Sequence, residues 1–248
     1  MFPHETAIVY VVSPDREEQL LRSIDSLLDT VSRFDLVRIC CVGPRPDRWK
    51  FVDPRIRVEE VSPLFGRYFY GNKLHLCDTP ARRVIFLDAD TIVLRPLDAL
   101  WQGRQEQLLA RRGTAMSSPN WNHQVWRDLV LRSGSREVPM FNAGVLLFQH
   151  GSHLRLKDAW QAALLRFLAG DWPHPCPDRR MFEQWSLAVA VAREGISFAE
   201  LDAKGHAFGW QHESADGAAV FHYGNRHVDR FFPRSSPGRP TRRSLLLQ

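Results

Sequence analysis

Residues 82–94 read RRVIFLDADTIVL, an apolar run that carries two carboxylates, Asp88 and Asp90, spaced two apart. Successive side chains of an extended chain alternate faces, so this spacing predicts both carboxylates on one side, where they can share a hard divalent cation. Held unpaired among apolar residues, the two would carry a heavy desolvation cost. The residues just before them have the composition of a central parallel strand, whose carboxyl end opens on the crevice where α/β sheets take their ligands. The chemistry expected there is the handling of a phosphorylated, metal-chelating substrate.

The elements that must hold this pair are legible on both sides of it. Residues 7–12 read as a first strand, and Ser13-Pro14 as N-cap and first helical position before Leu20, Leu21, Ile24, Leu27, Leu28 and Val31 at amphipathic spacing. A second strand is expected over 37–42, closed by Gly43-Pro44, and a third over 56–61, closed by Ser62-Pro63. A helix over 65–77 then precedes the Asp88 strand. Strands alternating with helices indicate a mostly parallel sheet. Beyond Trp101 the pattern is mixed: a polar, Trp-bearing stretch over 120–132, a strand over 140–148, helices near 154–168 and 179–193, and a short strand over 218–221 that delivers His222. The expectation is a single domain over 1–232, with a nucleotide-binding half at 1–100 and an acceptor-side half at 101–232. Residues 233–248, rich in Pro, Ser and Arg, are expected to form a flexible basic tail.

Composition narrows the classes. At 248 residues and 44% hydrophobic content the chain has room for one large α/β core. No apolar run reaches membrane-spanning length and the amino terminus shows no charged leader ahead of an apolar segment, so a cytoplasmic protein without a membrane span is expected. Cys40, Cys41, Cys77 and Cys176 form no C-x-x-C pair and read as reduced thiols. The net charge of +5 sits largely in the tail, through Arg234, Arg239, Arg242 and Arg243, and no basic stripe with interleaved aromatics appears elsewhere. Nucleic-acid binding is therefore not expected. A homo-oligomer stays open.

Four separated segments accompany the Asp-Ala-Asp-Thr run: Asn72-Lys73-Leu74-His75-Leu76, Phe141-Asn142-Ala143-Gly144-Val145, Glu183-Gln184 and Phe221-His222-Tyr223-Gly224. In type, order and separation they resemble the GT-A glycosyltransferases, and among them family 8, which contains glycogenin and the bacterial lipooligosaccharide galactosyltransferases. The resemblance implies a Rossmann-like mixed, mostly parallel sheet flanked by helices. It also implies transfer of a sugar from a nucleotide diphosphate sugar, a UDP sugar being favoured, to a hydroxyl acceptor with retention of configuration.

Residue by residue, the resemblance makes Asp88, Asp90 and His222 the ligands of Mn²⁺ or Mg²⁺, and the mixed oxygen and nitrogen set suits Mn²⁺ better. Lys73 becomes a point charge for the donor phosphate or sugar. Asn142, Ala143 and Gly144 form the loop at the donor sugar, with Ala89 between the two aspartates. Val12, Ser13 and Asp15 are candidates for base and ribose. Gln184 is placed near the anomeric carbon, Glu183 stands where the family has Asp, and Asp178 is an alternative carboxylate. The chain departs from the family after its histidine: Gly224 comes early, no Lys-Pro-Trp follows, and Arg226 is the replacement candidate for a phosphate clamp.

Plainer readings stand beside these. The aspartates would suit a solvated turn before Pro96, Lys73 a solvated helix lysine, and Glu183 and Gln184 the polar face of a helix. Rival functions are a sugar nucleotidyltransferase, which usually carries an early Gly-rich triphosphate loop that Ser13-Pro14-Asp15 does not provide, a haloacid-dehalogenase-like phosphatase, whose Asp-x-Asp normally opens the domain, and a non-catalytic relative that binds sugar nucleotides.

Overall fold

The computed structural model describes residues 2–114, 124, 126–128, 137–171 and 178–224. Strands β1 (His4–Val12), β2 (Leu36–Val42), β3 (Ile56–Val61) and β4 (Ala81–Leu87) form the parallel half of a seven-stranded sheet. The sheet continues through β7 (Phe141–Phe148), β6 (Leu108–Arg112) and β8 (Phe198–Glu200) in the order β3-β2-β1-β4-β7-β6-β8, with β7 alone reversed. A second sheet has the order β5-β10-β9, from β5 (Thr91–Val93), β9 (His206–Phe208) and β10 (Val220–His222). This is the expected α/β class with a mostly parallel sheet flanked by helices.

The continuous apolar run of β1 is explained by burial on both faces. Ala7, Val9 and Val11 enter one core with Cys40, Val84 and Phe86, while Ile8, Tyr10 and Val12 enter the other with Ile39, Cys41 and Ile85. Helix α1 (Glu17–Asp29) closes the second core through Leu20, Ile24 and Leu27. Helices α2 (Ser152–Ala169) and α3 (Phe182–Arg193) close the first, through Leu156, Trp160 and Leu164 and through Leu187, Val189 and Val191. Cys40, Cys41 and Cys77 are buried free thiols.

Several local expectations are corrected. The helix expected over 65–77 is a 3₁₀ helix, Phe69–Asp78. Gly66 takes a left-handed φ of 55°, which bars a right-handed helix from starting at Phe65. Ser13 and Pro14 take the N-cap and first positions of a 3₁₀ turn, Pro14–Arg16, that precedes α1, but the Ser13 hydroxyl bonds Asp15 and caps no amide. The aspartates do not lie on one strand either. β4 ends at Leu87 in the large sheet, residues 88–90 turn, and Thr91 opens β5 in the small one. Strands β6, β8 and β9 have no counterpart in the sequence reading, the last two being only three residues long. The tail at 233–248, most of the stretch at 120–132, Cys176 and Arg226 lie outside the described residues.

Candidate active site

Two pairings bring the site together. Antiparallel β10 pairs with β5 so that His222 lies opposite Thr91, and the Tyr223 amide donates to the Asp90 carbonyl at 3.1 Å. On the other side β7 runs beside β4, and the Asp88 amide donates to the Gly144 carbonyl at 2.8 Å. The turn 88–90 is thus held between the carboxyl end of β4 and the end of the small sheet. A buried line of hydroxyls supports it from below: Tyr10 meets Ser23 at 3.0 Å, Ser23 meets Thr91 at 3.1 Å, and Thr91 Oγ1 donates to the Asp88 carbonyl at 2.8 Å.

Asp88, Asp90 and His222 each offer one ligand atom, all within 4.8 Å of one another. His222 Nε2 lies 3.0 Å from Asp90 Oδ1 and 4.0 Å from Asp88 Oδ2. Gly144 makes room for this ring. A Cβ at Gly144 would fall 2.2 Å from His222 Cε1 and 2.6 Å from Nδ1, so the imidazole packs directly on bare backbone. The Asn142 side chain folds back to accept from the Gly144 amide at 2.9 Å, which braces the same loop.

Lys73 is not a solvated helix lysine. Only 9% exposed, it directs Nζ to Asp88 Oδ2 at 3.0 Å, to the Ala143 carbonyl at 3.0 Å and toward Glu183 Oε1 at 3.6 Å. Burial works to lower its pKa, but the Asp88 and Glu183 carboxylates outweigh this and raise it. Burial, with Asp90 alongside, lifts Asp88 above the ordinary carboxylate range despite Lys73, whereas His222 holds Asp90 below it against the same burial. Burial alone would lower the pKa of His222, and Asp90 raises it. Two half-buried carboxylates and one buried one thus face one ammonium and one imidazole, a charge pattern that a divalent cation completes.

Glu183 and Gln184 do not form a solvated helix face, since every residue from Glu183 to Ala192 in α3 is buried. The Glu183 carboxylate accepts from the Tyr68 hydroxyl at 3.4 Å. Gln184 turns Nε2 to Met181 Sδ at 3.7 Å and leaves its buried Oε1 without a hydrogen-bond partner. Asp178 caps the 3₁₀ turn Arg179–Met181 and pairs with Arg180, which holds its carboxyl below the ordinary range. Val12 is core, Ser13 and Asp15 pair with each other, and Ala89 is half-buried against the α1-side core. Gly224 takes a left-handed φ of 66° beside Trp210. No sequence motif marks His206, and the Asp-Ala-Asp-Thr run does not reveal that Thr91 supports the turn through its hydroxyl. The His206 ring lies 15° from that of His222, and burial drives its pKa well down.

Glu183 gives a pH test. Burial pushes its carboxyl from 4.5 to about 7, against Lys73. A carboxyl raised in the fold contributes its full stability below the unfolded value of 4.5, and loses it as pH rises through about 7. Glu183→Gln, which cannot ionise, should therefore gain on wild type in thermal melts between about pH 5 and about pH 8, by up to about 3 kcal/mol. A margin that shrinks with rising pH would place the ionised charge elsewhere.

Residues 72–156, which include Lys73, Asp88, Asp90, Asn142 and Gly144, match the profile of Glycosyl transferase family 8. The fold superposes on an active-site mutant of LgtC with a TM-score of 0.63 and 14% identity, over 89% of this chain and 88% of that one. Its fold is the GT-A fold, and residues 72–156 are similar to glycosyl transferase family 8. The galactosyltransferase LgtC in complex with donor and acceptor sugar analogs gives a TM-score of 0.61 at 15% identity, over 88% and 87% of the two chains. The apo form of the glycosyltransferase GlyE from Streptococcus pneumoniae TIGR4 gives 0.60 at 14%, over 90% of this chain but 55% of GlyE. No curated protein sequence is a significant match. Among the described residues, no helix is long and apolar enough to cross a membrane.

Proposed function

We propose that this protein is a metal-dependent glycosyltransferase that moves a sugar from a nucleotide diphosphate sugar, a UDP sugar being favoured, to a hydroxyl acceptor with retention. The observation that carries the reading is the meeting of Asp88, Asp90 and His222 at the end of β4, with the Lys73 ammonium beside them. Two carboxylates and an imidazole suit Mn²⁺ better than Mg²⁺, and their ligand atoms lie within 4.8 Å of one another. Bound there, the ion would stabilise charge developing on the departing diphosphate.

The chain's own residues supply the rest. Lys73 brings a fixed positive charge to the diphosphate side, and Glu183, reached by the methylene it has beyond Asp, holds that ammonium from beneath as well as lying toward the donor sugar. Gln184 offers a carbonyl oxygen with no competing donor, suited to a carbon that gains positive charge as the glycosidic bond loosens. Asn142, Ala143 and Gly144 shape the sugar side. The leaving diphosphate oxygen accepts the acceptor's proton on the front face. The bland pairing of Asp178 with Arg180 makes it the weaker candidate for a catalytic carboxylate.

Donor and metal should bind together, because each supplies ligands or charge to the other. UDP with Mn²⁺ is expected to raise the melting temperature more than either alone, by roughly 2.7 kcal/mol at a hundredfold excess over Kd, or about 5–10 °C for a chain of this size. A full response to GDP or CDP and none to UDP would move the nucleotide assignment, and no response to Mn²⁺ with any nucleotide would remove the metal.

A further inference from the structure

We propose that His206 is a positioning residue that fixes which nitrogen of His222 faces the two aspartates, and so tunes the affinity of the site for its divalent cation. The inference rests on the metal reading above and goes beyond its three ligands. His222 presents Nε2 to the carboxylates, 3.0 Å from Asp90. A neutral imidazole carries one N–H, so for Nε2 to offer a lone pair the proton must sit on Nδ1. That proton needs an acceptor, because Nδ1 is buried against the backbone of Gly144. The atom in reach is His206 Nε2 at 3.4 Å, with the two ring planes 15° apart.

His206 itself is fully buried, and its far nitrogen, Nδ1, has no hydrogen-bond partner. A bare buried donor costs about 1–3 kcal/mol, a cost that an apolar ring in the same place would avoid. The use of an imidazole there is at Nε2, which accepts from His222 when the proton of His206 sits on Nδ1.

The rest of the small sheet holds His206 in place. Arg111 donates to its carbonyl and pairs with Glu213, Glu213 accepts from the Phe208 amide at 2.6 Å, and the Phe208 ring meets His206 edge-on at 4.7 Å. Parallel pairing of β9 with β10 sets His206 level with Val220, two residues before the ligand, so the rings meet across the strands without either backbone bending.

The test compares wild type with His206→Phe and His206→Gln in the intact chain. Mn²⁺ binding is read from the paramagnetic resonance signal of the free ion, and stability from melts in EDTA. His206→Phe should keep or raise the melting temperature in EDTA and weaken Mn²⁺ binding by roughly 10–100-fold, the usual scale for a partner behind a metal ligand. His206→Gln, whose amide oxygen can accept from Nδ1–H, should recover most of that affinity. Phe binding Mn²⁺ within about twofold of wild type overturns the proposal, as does Gln no better than Phe, since the acceptor would then not matter. If His206→Phe does not fold, the contrast between wild type and His206→Gln against His206→Leu decides in the same way. Wild type that takes up no Mn²⁺ would instead bring down the metal reading itself, and this inference with it.

Discussion

Asp90→Asn is expected to cut sugar transfer by about a thousandfold or more, while the melting temperature in EDTA changes little. The amide keeps the shape and can still meet His222, but it removes one of the two negative charges that a divalent cation needs from this site. Stabilisation of the leaving group by a metal amounts to several kcal/mol, and each 1.4 kcal/mol is about tenfold in rate. The fold should tolerate the change because Asp90 also burdens its neighbour: it helps raise the Asp88 carboxyl, and its removal relieves that repulsion as the ion pair with His222 is lost. Asp88→Asn should behave alike in activity, because it too removes a charge from the cation's site. Steady-state turnover with and without EDTA checks this. Undiminished transfer in chelator, or in either variant, would be incompatible with the proposed mechanism.

Gly144→Ala is expected to be the most damaging glycine-to-alanine change among the described residues. The backbone at Gly144 is not left-handed, so the penalty is one of space: the added Cβ would sit 2.2 Å from His222 Cε1 and 3.0 Å from Asn142 Oδ1. The imidazole has nowhere to go, with His206 alongside it and Trp210 edge-on at 4.8 Å. Either the ring is pushed off the aspartates or β7 parts from β4 at the Asp88 amide. Overpacking of this kind costs about 1–3 kcal/mol, and either adjustment should also weaken Mn²⁺ binding by an order of magnitude or more. A melt and an Mn²⁺ titration read both effects, and an alanine variant indistinguishable from wild type in each would mean that the ring does not lie against this backbone.

What could be read in advance divides along physical lines. Strands β1, β2 and β4 announce themselves because burial on both faces leaves an unbroken apolar run, and no distant partner is needed to recognise one. Strands β5 and β9 are three residues each and exist through pairing with β10, in the case of β5 across more than a hundred positions, which no local periodicity records. The aspartates do converge, but through a turn between sheets; alternation along one strand is not the cause. Lys73, Glu183 and Gln184 look polar in sequence and suit a solvated helix, yet tertiary packing buries all three, and their charges make sense only against one another. His206 sits in Lys204-Gly205-His206-Ala207, a stretch with no motif, and its meaning depends on a neighbour sixteen residues away that only the sheet supplies.

The turn at 88–90 is also a seam. Asp88 follows the last residue of a strand in the large sheet and His222 ends a strand in the small one, so whatever grips both side chains rivets two separately hydrogen-bonded bodies. Grip and cohesion then become one quantity: free energy gained by an ion at the seam is shared with the small sheet. By reciprocity, a loosened small sheet weakens the grip in equal measure. Changes far from any ligand, at Arg111 or Glu213 for instance, would then register in binding assays as losses of affinity, though nothing they touch meets the ligand.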